Sequence, residues 1–115
     1  MEQRLLQQLK KGVLEMLVLQ TVCERPSYGY ELLTRLRERS GGLFTLREGT
    51  LYPILYRLED DGLIAAAWQQ EVGRSAPKKI YSATQAGTEE RARQQALWQS
   101  FVQTVDSFYQ GGKEK

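Results

Sequence analysis

The feature that most constrains the fold is a helical apolar stripe followed at once by two short β-prone segments. The stripe consists of four residues at positions i, i+3, i+4 and i+7: Leu51, Ile54, Leu55 and Leu58. This spacing predicts a helix with one buried face, which begins near Arg47 or Glu48 and runs to Asp61. Residues 63–69 and 78–83 then predict two strands joined by a polar loop.

The chain before this stripe predicts two further helices. Residues 4–24 carry leucine and valine on a stripe wider than one core face needs, which favours a helix buried on two sides, one of them facing a partner subunit. The pair Arg25-Pro26 ends that helix, because the residue before a proline is pushed out of the helical region. Ser27 is expected to cap a second helix, from about Tyr28 to Arg39, which a Ser-Gly-Gly turn ends.

The end of the chain predicts a long helix with an apolar face that the rest of the domain leaves uncovered. Thr84 is expected to cap this helix, which runs from about Gln85 to Tyr109. Its apolar face consists of seven residues: Leu97, Trp98, Phe101, Val102, Val105, Phe108 and Tyr109. Pairing with a second copy would cover this face, since two-fold dimers are the commonest oligomers. Trp98 either lines a cavity at the two-fold axis or simply packs in the interface.

The order of helix, helix, helix, hairpin and long helix predicts an α+β, mainly α fold. It is the order of a winged helix-turn-helix with a long C-terminal dimerisation helix. We expect residues 1–83 to form the winged domain, 84–110 the dimerisation helix and 111–115 a disordered tail. A chain of 115 residues buries a limited core, which also favours association with a second copy.

The residue types that the chain lacks exclude most catalytic chemistry. It has no histidine, the commonest general base and metal ligand near neutral pH. Its one cysteine, Cys23, lies in an apolar run and is expected to be a small buried core residue. A single cysteine excludes an internal disulfide and a cysteine-rich zinc site. We therefore expect no enzyme, no metal site and no cofactor.

The hydropathy pattern favours a cytoplasmic protein. No stretch of the sequence approaches the roughly 20 apolar residues of a membrane span. The N-terminus lacks the basic-then-apolar order of a signal peptide. A lone cysteine fits a reducing compartment such as the cytoplasm. Because no apolar span is present, we also expect no membrane partner.

The face of the third helix opposite the stripe carries polar and aromatic side chains. Thr50 can bond a base or a phosphate, and Arg57 can neutralise a phosphate or bind guanine. Tyr52 adds a hydroxyl and a flat ring, and Pro53 is tolerated only near the start of the helix. Such a face suits a recognition helix, whose N-terminal residues enter the major groove of DNA. An ordinary solvated helix face accounts for the same residues equally well.

The predicted hairpin carries a local excess of positive charge. The chain has a net charge of only +2, but residues 63–83 hold Arg74, Lys78 and Lys79 against one acid, Glu71. A basic wing contacts phosphate or the minor groove and gains affinity by releasing counterions, without sequence preference. The alternative is an ordinary solvated hairpin.

Two tyrosines, Tyr28 and Tyr30, open the second helix. In helix-turn-helix proteins this helix crosses the DNA backbone, and a helix N-terminus offers free N–H groups to phosphate. Tyr28 suits the core as well as it suits a DNA contact, and Tyr30 is expected to be the more exposed hydroxyl.

Several motifs of the chain, in this order and spacing, resemble those of the PadR family of transcriptional regulators. They are Leu14-Glu15, Tyr28-Gly29-Tyr30-Glu31-Leu32, Glu48-Gly49-Thr50-Leu51-Tyr52-Pro53, Arg57-Leu58-Glu59, Asp61-Gly62-Leu63-Ile64, Lys79-Ile80-Tyr81 and Thr84-Gln85-Ala86-Gly87. The likeness runs from about Leu9 to Gly87 and is greatest for the subfamily with a single C-terminal dimerisation helix. The wing departs from the family pattern, in which two glycines often precede the arginine and a second arginine follows the proline.

The resemblance implies a homodimer that binds double-stranded DNA, usually a repressor released by a small molecule or another signal. By position it assigns seven residues to DNA contact: Thr50, Tyr52, Pro53, Arg57, Arg74, Lys78 and Lys79. Tyr28 and Tyr30, at the start of the second helix, complete the expected DNA-binding residues. The uncovered apolar face of the last helix supplies the expected dimer-interface residues: Leu97, Trp98, Phe101, Val105 and Phe108. In some relatives a tryptophan placed like Trp98 stacks on planar hydrophobic ligands, which implies an effector contact. The modest net charge keeps one alternative open, a winged-helix protein-interaction module that binds no DNA.

Overall fold

The computed structural model describes residues 2–70, 73 and 76–111. Within them the chain forms, in order, α1 (Glu2–Glu24), β1 (Ser27–Tyr28), α2 (Gly29–Arg39), α3 (Glu48–Asp60), β2 (Ile64–Gln69), β3 (Lys78–Ala83) and α4 (Gln85–Gln110). The strands form one antiparallel sheet in the order β1-β3-β2. The predicted winged helix-turn-helix with its long last helix is confirmed. No helix in this part of the chain is long and apolar enough to cross a membrane.

The core lies where α1, α2 and α3 pack against the sheet. The four residues of the predicted α3 stripe are all buried: Leu51, Ile54, Leu55 and Leu58. They belong to one cluster with Leu19 of α1, Leu32 of α2 and Tyr81 of β3. Burying a side chain of this size contributes about 1.5–3 kcal/mol, so the stripe determines which face of α3 is left in solvent.

A short third strand, β1, replaces the cap predicted at Ser27. Ser27 lies opposite Tyr81 of β3, and its buried hydroxyl accepts a hydrogen bond from Arg35 at 2.7 Å. The N-cap of α2 is Tyr28, whose backbone N–H donates to the Glu31 carboxylate at 2.8 Å. The predicted cap was therefore wrong by one residue. A strand of two residues has no period for a sequence pattern to reveal.

The last helix, α4, begins against the end of α1 and then extends away from it. Thr84 caps α4 as predicted, since its hydroxyl accepts the N–H of Gly87 at 3.0 Å. Gly87 permits this close approach, because a Cβ at that position would lie 1.9 Å from the Leu63 carbonyl oxygen. The described molecule is consequently elongated, with extents of 66 × 33 × 21 Å.

Cys23, predicted to be a buried core residue, lies at the α1–α4 junction and is only partly buried. Its Sγ is 3.8 Å from the carbonyl oxygen of Gly87. Burial raises the pKa of the Cys23 thiol, so the residue stays protonated near neutral pH and packs as a small apolar group against the core.

Candidate nucleic-acid interface

The exposed face of α3 lies opposite its buried stripe. It presents seven residues to solvent: Glu48, Gly49, Thr50, Pro53, Tyr56, Arg57 and Asp60. Pro53 stands in the second turn, slightly deeper than the sequence predicts, and four residues after Gly49. The exposed face of α3 is thus an accessible ridge with the Thr50 hydroxyl, a proline ring and an aromatic ring, and it has a carboxylate at each end of the helix, Glu48 and Asp60.

Tyr52 connects α3 to the first residue of α2. It is half-buried, and a Cβ added to Gly29 would lie 2.2 Å from its hydroxyl oxygen. Burial raises the pKa of the Tyr52 hydroxyl. The structure therefore places this predicted DNA contact between the two helices, where it sets how closely they approach.

Arg57 contacts α1. Its Nε donates to Oε2 of Glu15 at 2.9 Å, and its Nη2 donates to the same oxygen. Both side chains remain about half exposed. The guanidinium that the sequence offers to DNA is therefore paired with a carboxylate of the same chain.

A first lysine–tyrosine cluster joins the wing to α2. The rings of Tyr28 and Tyr30 stack with centroids 5.9 Å apart and planes 7° apart. Lys78 places its ammonium 4.8 Å from the Tyr30 ring centroid. Tyr28 is buried and its hydroxyl donates to Oε1 of Gln69 at 3.0 Å. Of the two tyrosines, Tyr30 alone faces solvent, and Tyr28 supports its ring.

A second cluster joins the wing to α3. The ammonium of Lys79 lies 5.8 Å from the ring centroid of Tyr56 and 5.6 Å from that of Trp68. Trp68 faces Lys79 across the β2–β3 ladder and is exposed. Sequence reasoning did not single out Trp68, although a lone large aromatic after three alanines was a usable signal.

The tip of the wing is only partly described. Arg74, the third predicted wing cation, lies outside the described residues, as do residues 112–115 of the predicted tail. The two described wing lysines, Lys78 and Lys79, both lie over aromatic rings of the helices. Cation–π contacts of this kind stabilise by roughly 0.5–1 kcal/mol at exposed positions, so they hold the wing beside α2 and α3.

A groove separates α1 from α4. It measures about 170 Å³ and is lined by seven residues: Met16, Leu17, Gln20, Arg91, Gln94, Gln95 and Trp98. Arg91 donates to Gln20 and to Gln95, each at 3.0 Å. The buried Oε1 of Gln94 has no hydrogen-bond partner among the described residues. The groove is thus apolar with a polar floor, and Trp98 forms one wall.

Beyond this groove both helices expose large apolar side chains. On α4 the predicted interface residues are exposed: Leu97, Trp98, Phe101, Val105 and Phe108. The first turns of α1 add three leucines, Leu5, Leu6 and Leu9. Large apolar side chains exposed in such number mark an interaction site. We refer to these eight residues as the apolar face.

Comparison with known proteins places these features in a family. The model of the family described as "Transcriptional regulator PadR-like family" matches residues 18–93. A PadR family transcriptional regulator from Eggerthella lenta DSM 2243 is similar in structure, with a TM-score of 0.85 and 31% identity over 96% of this chain and 93% of that one.

Two further relatives extend the likeness. A PadR-like transcriptional regulator from Bacillus cereus strain ATCC 14579 is 32% identical, with a TM-score of 0.76 over 90% of this chain and 98% of that one. An uncharacterized protein of Lysinibacillus sphaericus is 28% identical over 101 residues, which are 88% of this chain and 92% of that protein. The similarity therefore extends over nearly the whole length of both partners.

Proposed function

The chain belongs to the PadR-like family of transcriptional regulators, and from that premise we propose that it is a homodimeric repressor released from its operator by a small molecule. The observation that carries the DNA-binding part is the exposed ridge of α3 flanked by Lys78 and Lys79 of the wing. Family members are transcriptional regulators rather than enzymes. A regulator of this kind acts in the cytoplasm, where the chromosome is accessible.

In this proposal α3 is the recognition helix. Thr50 and Pro53 lie on its exposed N-terminal half, so they can reach base edges in the major groove. The Thr50 hydroxyl can bond a base, and its methyl can contact a thymine methyl. Tyr52 and Tyr28 act by positioning α2 and α3, because the Tyr52 hydroxyl lies against Gly29 and the buried Tyr28 bonds Gln69 of β2.

The lysines of the wing and Tyr30 supply contacts to the DNA backbone. Lys78 and Lys79 carry the positive charge that phosphate requires, and Arg74 is proposed to extend it toward the wing tip. Phosphate contacts set register and orientation but carry no sequence information. Sequence preference then depends on α3, with Arg57 contributing only when it leaves Glu15.

The apolar face is proposed to pair with its copy on a second chain. Eight large apolar side chains on α1 and α4 are exposed together in one protomer, and a two-fold dimer covers one such face with the other. The pairing would bring two recognition helices to inverted half-sites. A compact dimer reads half-sites roughly 34–36 Å apart, one turn of the double helix.

The groove beside Trp98 is proposed to admit a planar hydrophobic effector. Its apolar wall can stack on a flat ring, and the unpartnered Gln94 oxygen can accept a hydrogen bond from it. Quenching of tryptophan emission by planar dyes measures such binding. Unchanged emission across many such compounds would leave Trp98 as simple interface packing.

Fluorescence anisotropy tests the DNA-binding proposal directly. The probe is a labelled duplex of the DNA upstream of the chain's own coding sequence, and the control is a scrambled duplex of the same composition. We expect tighter binding to the upstream duplex. The logarithm of the binding constant should fall linearly with the logarithm of the salt concentration. Absence of a salt-sensitive signal on either duplex would contradict the proposal, and stoichiometric capture of one protein partner would then favour an interaction module.

A further inference from the structure

We propose that Trp68, Lys79 and Tyr56 together bind one phosphodiester of the DNA backbone between the wing and α3, and that Trp68 is itself a DNA-contacting residue. We call these three residues the backbone seat. The inference rests on the proposed DNA binding and deepens it, because Trp68 belongs to none of the contacts argued above.

The register of the hairpin places Trp68 and Lys79 on the face that looks toward the helices. Alternate residues of a strand point to the same side, and the cross-strand pairs Ala66–Tyr81 and Trp68–Lys79 are two residues apart. Tyr81 on this face is fully buried. The pair Trp68–Lys79 therefore continues the core face beyond the edge of the core, where Lys79 reaches Tyr56 of α3.

The exposure of Trp68 is not explained by packing. Trp68 is 67% exposed, so most of its surface is not covered by the described part of the chain. The apolar face lies on α1 and α4, so association of two chains through that face does not account for a tryptophan on β2. Tryptophan and tyrosine are enriched among the residues that dominate binding energy at interfaces, and Trp68 lies beside Tyr56 and Lys79.

The three side chains complement a phosphodiester chemically. Lys79 supplies a positive charge, and the Trp68 Nε1–H, which is a donor only, can donate to a phosphate oxygen. Tyr56 adds a hydroxyl that can also donate. Tyr56 and Trp68 are both exposed, so the Tyr56 hydroxyl and the Trp68 Nε1–H are accessible to a ligand. The flat indole can also pack on a deoxyribose ring.

The position of the seat matches the path of a DNA strand. A helix in the major groove and a hairpin beside it are separated by the sugar–phosphate backbone that bounds the groove. Lys79 lies between the aromatic rings of α3 and β2, at 5.8 and 5.6 Å, which is the place where that backbone would pass. All contacts of the seat go to the backbone, so they should be independent of sequence.

Equilibrium binding of variants measures the contribution of the seat. We expect Trp68→Ala to weaken binding to the upstream duplex and to its scrambled counterpart by the same factor, about three- to tenfold. Trp68→Phe keeps the ring but lacks the N–H and should fall between Trp68→Ala and the original chain. Lys79→Ala should also reduce the slope of log binding constant against log salt concentration by about 1, which corresponds to the loss of one phosphate contact. Arg93→Ala, which removes a cation from α4, is the matched control and should change neither quantity.

Fluorine NMR of the full chain labelled with 5-fluorotryptophan provides a second readout that needs no destabilising change. The chain has two tryptophans, and Trp68→Phe identifies the resonance of Trp68. Added duplex should shift that resonance at stoichiometric DNA. This measurement keeps the inference testable even if Trp68→Ala folds poorly.

The outcomes separate the seat from the proposed function. If the duplexes bind but Trp68→Ala binds as tightly as the original chain and the Trp68 resonance does not move, the seat is refuted and DNA binding stands. If Trp68→Ala weakens only the upstream duplex, Trp68 is a base contact and the backbone seat is also refuted. If no duplex binds at all, both the proposed function and the seat fail.

Discussion

Arg57 on the exposed face of α3 donates to Glu15 of α1, with 2.9 Å between Nε and the carboxylate oxygen. The residues are 42 positions apart in the chain, and both are about half exposed. An ion pair in this setting contributes about 0–1 kcal/mol to stability. Its larger consequence is electrostatic, because the Glu15 carboxylate accepts hydrogen bonds from the Arg57 guanidinium that a phosphate or a guanine would otherwise accept.

Replacement of Glu15 should therefore strengthen DNA binding. Glu15→Gln removes the competing charge and should raise affinity for the upstream duplex up to about fivefold, while lowering the free energy of unfolding by less than about 1 kcal/mol. Anisotropy titrations and urea denaturation measure the two effects. Asp106→Asn, on α4, removes the same charge elsewhere and is the control. An unchanged affinity for Glu15→Gln would assign Arg57 a purely structural role.

A side chain at Gly29 should disturb the packing of α2 on α3. In Gly29→Ala the new Cβ would lie 2.2 Å from the Tyr52 hydroxyl oxygen, so the half-buried Tyr52 must move. We expect a loss of about 1–3 kcal/mol in the free energy of unfolding and weaker DNA binding. Gly12→Ala is the matched control, because nothing lies within 4 Å of that Cβ and alanine favours a helix by about 1 kcal/mol. Equal free energies of unfolding for the two variants would show that Tyr52 can move away from the new Cβ without loss of stability.

Tyr81 should make stability fall in alkaline solution. Burial raises the pKa of Tyr81 to about 12, above the roughly 10 of an unfolded tyrosine. The unfolded chain loses this proton at a lower pH than the folded chain. The contribution of Tyr81 to the free energy of unfolding is therefore fully present below pH ~10 and falls by roughly 2 kcal/mol as the pH rises toward 12. Urea denaturation at several pH values measures the decline.

The variant Tyr81→Phe isolates this contribution. The Tyr81 hydroxyl, which this variant lacks, has no hydrogen-bond partner among the described residues. The free energy of unfolding at pH 8 should therefore be unchanged or higher by up to about 1 kcal/mol. The alkaline decline assigned to Tyr81 should disappear. Tyr109→Phe, at an exposed position, should retain it. A marked loss of stability at pH 8 would instead reveal a partner for the Tyr81 hydroxyl.

A charge in the apolar face should prevent dimer formation. Phe101→Glu places a carboxylate among exposed apolar side chains of α4, and desolvating it against a second copy should weaken association at least tenfold. Sedimentation velocity measures the oligomeric state, and specific DNA affinity should fall with it. Gln99→Glu adds the same charge outside the apolar face and should leave the association unchanged. Identical sedimentation of both variants would place the interface elsewhere.

Much of the fold could be predicted because each signal is local. The spacing of Leu51 and Leu55 predicts a helix face, and Thr84 is followed within one turn by the N–H that it caps. The bounds predicted for β3, residues 78–83, are those observed. The strand β1 was missed because two residues show no periodicity.

The candidate site was predicted less completely, since its geometry depends on residues far apart in the chain. Thr50 and Pro53 are exposed on α3 as the helical period predicts. The hydrogen bond from the Tyr28 hydroxyl to Gln69, by contrast, joins residues 41 positions apart. The same is true of Trp68, which became a candidate only when the register placed it opposite Lys79.

The sequence by itself determined the order of the four helices and the hairpin, the buried stripe of α3 and the apolar side chains of α4. These follow from the period of side chains along a helix or strand, which the residue order already contains. Only the tertiary structure decided that Arg57 meets Glu15, that Tyr28 faces inward and that Lys79 lies between Tyr56 and Trp68. Such contacts depend on how the elements pack, because a periodic pattern shows which face is buried but not which distant side chain lies across from it.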